Sequence, residues 1–182
     1  MSRGTRLLTA EEFEHVARDH ARYELVEGVP VAMSPVSFAH GRVAVRIGSM
    51  LLAHVDAGGL GVVGSEVGFV LSTGPDTVRA PDIAFVAAAR AASAEARGFF
   101  AGPPDLAVEV LSPEDRATDI TSKVADYLRY GTAVVLVVDP ERQTASVHRR
   151  LAPPIVASTP DDVIDLDDVV PGFRVSLRDV LR

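Results

Sequence analysis

A chain of 182 residues with 47% apolar and 24% charged side chains is large enough for one domain with its own core, which excludes a disordered chain. It has no cysteine, which excludes thiolate zinc sites, thiol catalysis and a disulfide scaffold. A net charge of -7 argues against a protein that coats nucleic acid non-specifically, and leaves room for an enzyme that meets DNA through one local patch and a metal ion. A single domain over residues 1–182 is expected, with 1–10 a loose N-terminus. No basic stretch followed by an apolar segment opens the sequence, and no apolar run approaches the ~18 residues of a membrane span. A cytoplasmic location and no membrane partner are therefore expected.

Thr9-Ala-Glu-Glu predicts a helix start, with Thr9 as N-cap and Glu12 at the capping-box position; the helix runs to about Asp19. Residues 23–35 read as two short strands around a Glu27-Gly28 turn, and Pro30 places the second at a sheet edge. From His40 to Val55, Val43, Ile47, Met50 and Leu51 fall at helical spacing, and the Gly-rich stretch 56–61 ends that helix. Residues 62–72 and 77–87 each read as one strand, joined by a Gly74-Pro75-Asp76 turn. The Ala-rich run from Ala87 to Phe100 is a short helix or a surface excursion.

Leu106 to Leu111 reads as an apolar strand interrupted by Glu109 and broken by Ser112-Pro113. Asp119 to Tyr130 is a helix closed by Gly131. Ala133 to Val138 is an unbroken apolar run, as in a strand covered on both faces. Thr144 to Arg149 alternates as a strand, and a Pro- and Asp-rich tail ends in a short helix near Ser176 to Leu181. The expected architecture is α/β: a central mixed sheet flanked by helices, with an N-terminal β-hairpin.

Two carboxylates stand out. Burying an unpaired carboxylate costs several kcal/mol, so Glu109, within Leu-Ala-Val-Glu-Val-Leu, needs a cation, a proton or strong donors. Asp82 follows Pro81 inside a predicted strand. Converging at one sheet edge, the two would form an all-oxygen site for Mg²⁺, with Mn²⁺ able to substitute, completed by water and the backbone carbonyl of Val110. Against this, Glu109 would pair with an Arg or face solvent, and Asp82 would sit in an ordinary Pro-Asp turn.

Lys123 is the one lysine among 18 basic residues. On the helix after the Glu109 strand it would return over that strand's end and place an ammonium near a phosphate or an attacking water. The simpler reading is an i,i+4 pair with Asp119, worth about 0.2 to 0.5 kcal/mol. Tyr127, one turn on, reads as core. Glu24 is either a further carboxylate or an edge-strand charge. His40 opens the second helix, either reaching the site or facing solvent. Arg42 and Arg46 are candidate DNA-backbone contacts on the same helix. Ser112 reads as a local cap. His15 and His20 give only weak support to a histidine zinc site.

In order, Tyr23-Glu-Leu-Val-Glu-Gly, His40, Pro81-Asp82, Val108-Glu-Val-Leu-Ser-Pro, the Asp119…Lys123…Tyr127 helix, Gly131 and Val138-Asp-Pro resemble the Uma-two family of the PD-(D/E)XK nuclease superfamily, over roughly residues 10 to 180. The resemblance implies a restriction-endonuclease-like fold and Mg²⁺-dependent hydrolysis of DNA phosphodiester bonds. It assigns Asp82 and Glu109 as metal-binding acids, with Glu24 an additional acid. The superfamily's usual lysine lies two residues after the second acid, where this chain has Leu111; the resemblance assigns its role to Lys123. Relatives carry Tyr-Trp in the strand where this chain has Val135-Leu136. A homodimer is expected as the working assembly. The alternatives are a catalytically inactive binding or assembly module of the same fold, and a hydrolase of other phosphate esters.

Overall fold

The computed structural model describes residues 6–19, 23–33, 35–91, 98–113, 115 and 117–182. In chain order the elements are α1 (Ala10–Asp19), β1 (Tyr23–Val26), β2 (Val29–Ala32), α2 (Phe38–Gly58), β3 (Gly61–Ser65), β4 (Phe69–Ser72), β5 (Thr77–Arg79) and β6 (Ile83–Ala87). They continue with α3 (Ala88–Ala91), β7 (Phe100–Ala101), β8 (Leu106–Val110), α4 (Ala117–Tyr130), β9 (Val134–Asp139) and β10 (Thr144–Arg149). β11 (Ile155–Ala157), β12 (Val163–Asp165), β13 (Arg174–Ser176) and α5 (Leu177–Leu181) close the chain.

The capping box of α1 forms: the Glu12 N–H donates to Thr9 Oγ1 at 3.2 Å, and the Thr9 N–H to Glu12 Oε2 at 3.0 Å. The stretch expected to be loose lies partly outside the described residues. Within them, the Leu8 N–H donates to the Gly28 carbonyl at 2.8 Å. Gly28 closes the β1–β2 turn at φ +79, and a Cβ there would stand 2.7 Å from Leu7 Cβ. β2 is a sheet edge, as Pro30 requires. Ser37 caps α2, accepting from the His40 N–H at 3.2 Å, and Gly59 ends it with φ 60.

The architecture is mixed α/β with a central mixed sheet flanked by helices and an N-terminal hairpin, as expected, and the strands outside that sheet form further sheets. The strands form a six-stranded sheet ordered β11-β10-β9-β8-β6-β3, a five-stranded sheet ordered β2-β1-β5-β4-β7, and the pair β12-β13. The runs 62–72 and 77–87, each read as one strand, both break midway. Glu66 takes a left-handed φ of 53 opposite Asp82, and Pro81, next along, has no N–H with which to continue the ladder. The hairpin therefore passes from one sheet to the other: β3 pairs with β6 in the first, β4 with β5 in the second. Asp82 sits at that crossing.

The six-stranded sheet is buried on both faces. Val108, Val110, Leu136 and Phe85 face a core closed by α2, α5 and the β12–β13 pair. Ala107, Val135 and Val137 face α4 and the five-stranded sheet, through Val124, Tyr127, Phe69 and Phe100. β9 is buried throughout except at its last residue, as its unbroken apolar run requires. Phe13, Leu25 and Val78 form a smaller core beneath α1. No helix among the described residues is long and apolar enough to cross a membrane.

Candidate active site

β6 and β8 run antiparallel with Ile83 opposite Val108. Carried one step further, that register sets Asp82 opposite Glu109, and a second step sets Pro81 opposite Val110. Alternation along β8 turns Glu109 to the same face as Ala107, the face that α4 covers. Lys123 and Tyr127, one turn apart on α4, both reach it. Lys123 Nζ lies 3.1 Å from Glu109 Oε2, and the Tyr127 hydroxyl donates to Oε1 at 3.0 Å.

Lys123 also lies 3.2 Å from Glu24 Oε1, so one ammonium bridges two buried carboxylates. Its i,i+4 pairing with Asp119 is thereby superseded. Glu24 arrives from β1. Leu25 pairs with Val78, which brings Glu24 opposite Arg79 on β5. Arg79 Nη1 donates to Glu24 Oε2 at 2.7 Å, and its Nε and Nη2 donate to Asp126 Oδ2 at 3.1 and 2.5 Å. The Ala80 N–H donates to Glu24 Oε1 at 3.1 Å. Glu24 is thus a buried, fully engaged acid and not an edge-strand charge.

Asp82 is held from both sides. The Val110 N–H donates to its Oδ2 at 2.7 Å, and His40 Nε2 lies 3.1 Å from its Oδ1. His40 is buried, against the expectation for a histidine in a first helical turn. The Leu111 N–H donates to Val138 on β9, so Val110 turns both its N–H and its carbonyl the other way, toward Asp82. Pro81 offers that carbonyl no N–H.

Glu24, His40, Arg79, Asp82, Glu109, Val110, Ser112 and Lys123 line one cavity of about 260 Å³. Val31, Met33 and Val36 line it from the hairpin and the segment after it, and Asp115 and Asp119 from the approach to α4 and its first turn. Burial pushes the Glu109 carboxyl up to about 7; Lys123 pulls it down, and Asp82 and Glu24 push it further up. Burial lowers the Lys123 ammonium, but Glu109 and Glu24 outweigh this and raise it. Tyr127 is held well above its ordinary range, by burial first and then by Glu109 and Glu24.

The donor set suits a hard divalent cation. Asp82, Glu109 and the Val110 carbonyl all offer oxygen, the chemistry of Mg²⁺ or Mn²⁺ sites. Burial first, and then Asp82 and Glu24, disfavour the charged form of Glu109, and a cation beside the carboxylate would offset them. No three His, Asp or Glu side chains gather as a ready-made cage among the described residues, so a cation here draws on backbone and water as well.

Arg42 and Arg46 lie outside this cavity, on the outer side of α2, where they line a separate cleft with Phe38 and Val45. The Arg42 guanidinium donates to the Leu181 carbonyl at 3.3 Å. Ser112 lines the cavity, and its N–H is capped by Asp115 at 2.7 Å. Sequence reasoning missed Arg79 and Asp126. The signal for Arg79 was available: a charge inside Thr-Val-Arg, a strand buried at every residue, carries the same cost that singled out Glu109.

The fold is that of a solved nuclease-fold protein. A crystal structure of "a putative nuclease belonging to DUF820" from Anabaena variabilis superposes with a TM-score of 0.80 at 21% identity, covering 96% of this chain and 97% of that one. The model of the Uma2 family, described as "Putative restriction endonuclease", matches residues 10–178, and the chain belongs to that family. No curated protein matches it.

Proposed function

We propose that this chain is a Mg²⁺-dependent endonuclease that hydrolyses DNA phosphodiester bonds in the cytoplasm, acting as a homodimer. The observation that carries the reading is the ammonium of Lys123 held between Glu24 and Glu109, in a cavity that Asp82 and the Val110 carbonyl share. Membership in a family described as a restriction endonuclease supports the same reading. Asp82, Glu109 and the Val110 carbonyl would hold the cation. When bound, it supplies Lewis acidity toward a phosphoryl oxygen and favours deprotonation of an attacking water.

The remaining roles belong to the chain. Lys123, a cation wedged between carboxylates, is suited to offset charge building on the phosphate and is unsuited to take up a proton. Glu24 and Tyr127 fix the partners of that ammonium: Glu24 from one side, Tyr127 by orienting Glu109. Arg79 holds Glu24 in place, and His40 and the Val110 N–H fix the Asp82 carboxylate. Arg46, on the outer side of α2, would meet the DNA backbone, whereas Arg42 is engaged by the Leu181 carbonyl and is not needed for that contact.

The test is nicking of supercoiled plasmid with Mg²⁺ or Mn²⁺, against EDTA. The reading expects metal-dependent nicking that Asp82→Asn abolishes and that Lys123→Ala reduces by about 100- to 1000-fold, the scale of losing one transition-state donor. DNA binding without cleavage in any divalent ion would replace the reading with an inactive nuclease-fold module. Turnover confined to small phosphate esters would replace it with another hydrolase.

A further inference from the structure

Helix α2 carries two apolar stripes, and the fold uses only one. Val43, Ile47, Leu51 and Val55 recur every four residues and are buried against the six-stranded sheet. On the opposite side Phe38, Arg42, Val45, Ser49, Leu52 and Asp56 recur at alternating spacings of four and three, the spacing of a helix–helix seam. Its three apolar members face solvent: Phe38 is 90% exposed, Val45 69% and Leu52 44%. A helix apolar on two faces ordinarily has both covered.

The polar members of the seam say what covers it. Arg42 lies toward one end and Asp56 toward the other, with Ser49 midway. Laid antiparallel on a copy of itself about a two-fold axis at Ser49, the helix brings Arg42 against the partner's Asp56 twice over. The same arrangement packs Val45 against the partner's Leu52. A parallel arrangement would instead set Arg42 against its own copy. The seam is therefore self-complementary in charge and in apolar contact in one orientation only.

We infer that the exposed face of α2 is a homodimer seam whose occupant is the antiparallel α2 of a second copy of this chain. The inference names the surface for the assembly proposed above and does not depend on the reaction. The cleft lined by Val45 and Leu52 is also lined by His40 and Asp82, so the seam borders the acid-lined cavity. A helix of 21 residues is about 32 Å long, which sets the length of the seam.

Sedimentation velocity from about 1 to 100 µM, without DNA or added metal, tests this. The wild-type chain is expected to pass from monomer to dimer over that range, and Val45→Glu to stay monomeric with an unchanged circular dichroism spectrum. Arg42→Asp and Asp56→Arg should each weaken dimerisation at least tenfold, and R42D/D56R should restore it. Because the chain has no cysteine, Ser49→Cys gives one thiol per copy, which a short bis-maleimide should link into a covalent dimer, whereas Thr118→Cys should not link. A wild-type monomer throughout, a dimer untouched by Val45→Glu, or a double charge swap that stays monomeric overturns the inference. The dimerisation measurements use neither DNA nor metal: a chain that stays monomeric yet nicks plasmid overturns the seam and the homodimer and leaves the reaction standing, whereas a dimer that never nicks overturns the reaction alone.

Discussion

Replacing Glu109 with Gln probes the charge balance of the cavity directly. The Glu109 carboxyl is ordinarily near 4.5 and is raised to about 7, chiefly by burial. A folded-state value above the unfolded one means the folded chain binds that proton more tightly. The stability this contributes is complete below about pH 4.5 and is lost as the pH rises through about 7. The gap between 4.5 and about 7, at about 1.4 kcal/mol per unit, amounts to about 3 kcal/mol. Gln keeps the neutral shape at every pH and still accepts from Tyr127. In EDTA, Glu109→Gln should therefore match the wild type near pH 4.5 and exceed it by about 3 kcal/mol near pH 8. Urea unfolding followed by circular dichroism at both pH values reads the difference. Added Mg²⁺ should then stabilise the wild type and leave the variant unchanged. A variant equal to or less stable than the wild type near pH 8 would refute the argument that this carboxylate is under-compensated without metal.

The second acid–base layer gives a prediction of opposite sign. Arg79→Met removes the guanidinium shared by Glu24 and Asp126 and leaves Glu24 with Lys123 and the Ala80 N–H; it should cost about 1.5 to 3 kcal/mol in urea unfolding, and Glu24→Gln in the same chain should recover part of it; a loss under about 1 kcal/mol would show that Arg79 does not hold Glu24. Tyr127→Phe removes one hydrogen bond to a buried carboxylate and should cost about 1.5 to 3 kcal/mol while lowering nicking activity, since Glu109 loses its orienting donor; unchanged activity would reduce Tyr127 to packing alone. Ser37→Ala removes the cap of α2 and should lower stability by about 0.5 to 2 kcal/mol, read as an earlier urea midpoint with the same slope.

Much of the local structure was legible in the sequence because it obeys local rules. The Thr9/Glu12 capping box, the Glu27-Gly28 turn, the helix through Lys123 and Tyr127, and the doubly covered β9 each follow from spacing, capping or an unbroken apolar run. The cost of burying charge likewise picked out Glu109 as a residue needing a partner. The partner itself was not legible. Lys123 could pair with Asp119 by helical spacing, and only the return of α4 over β8 decides that it meets Glu109 and Glu24 instead.

The sequence by itself determined the long helices, the strands with unbroken or alternating apolar runs, and which side chains could not be left alone in a core. Only the tertiary structure decided that the hairpin breaks at Glu66 and Pro81, so that its two halves join different sheets and Asp82 stands at the crossing. It alone decided that Glu24 meets Arg79 across β1 and β5, and that His40 turns inward to Asp82. The reason is that propensity and capping act over a few residues, whereas these contacts join positions about 14 to 99 residues apart. Strand register and helix return set those distances, and the chain carries no local signal for either.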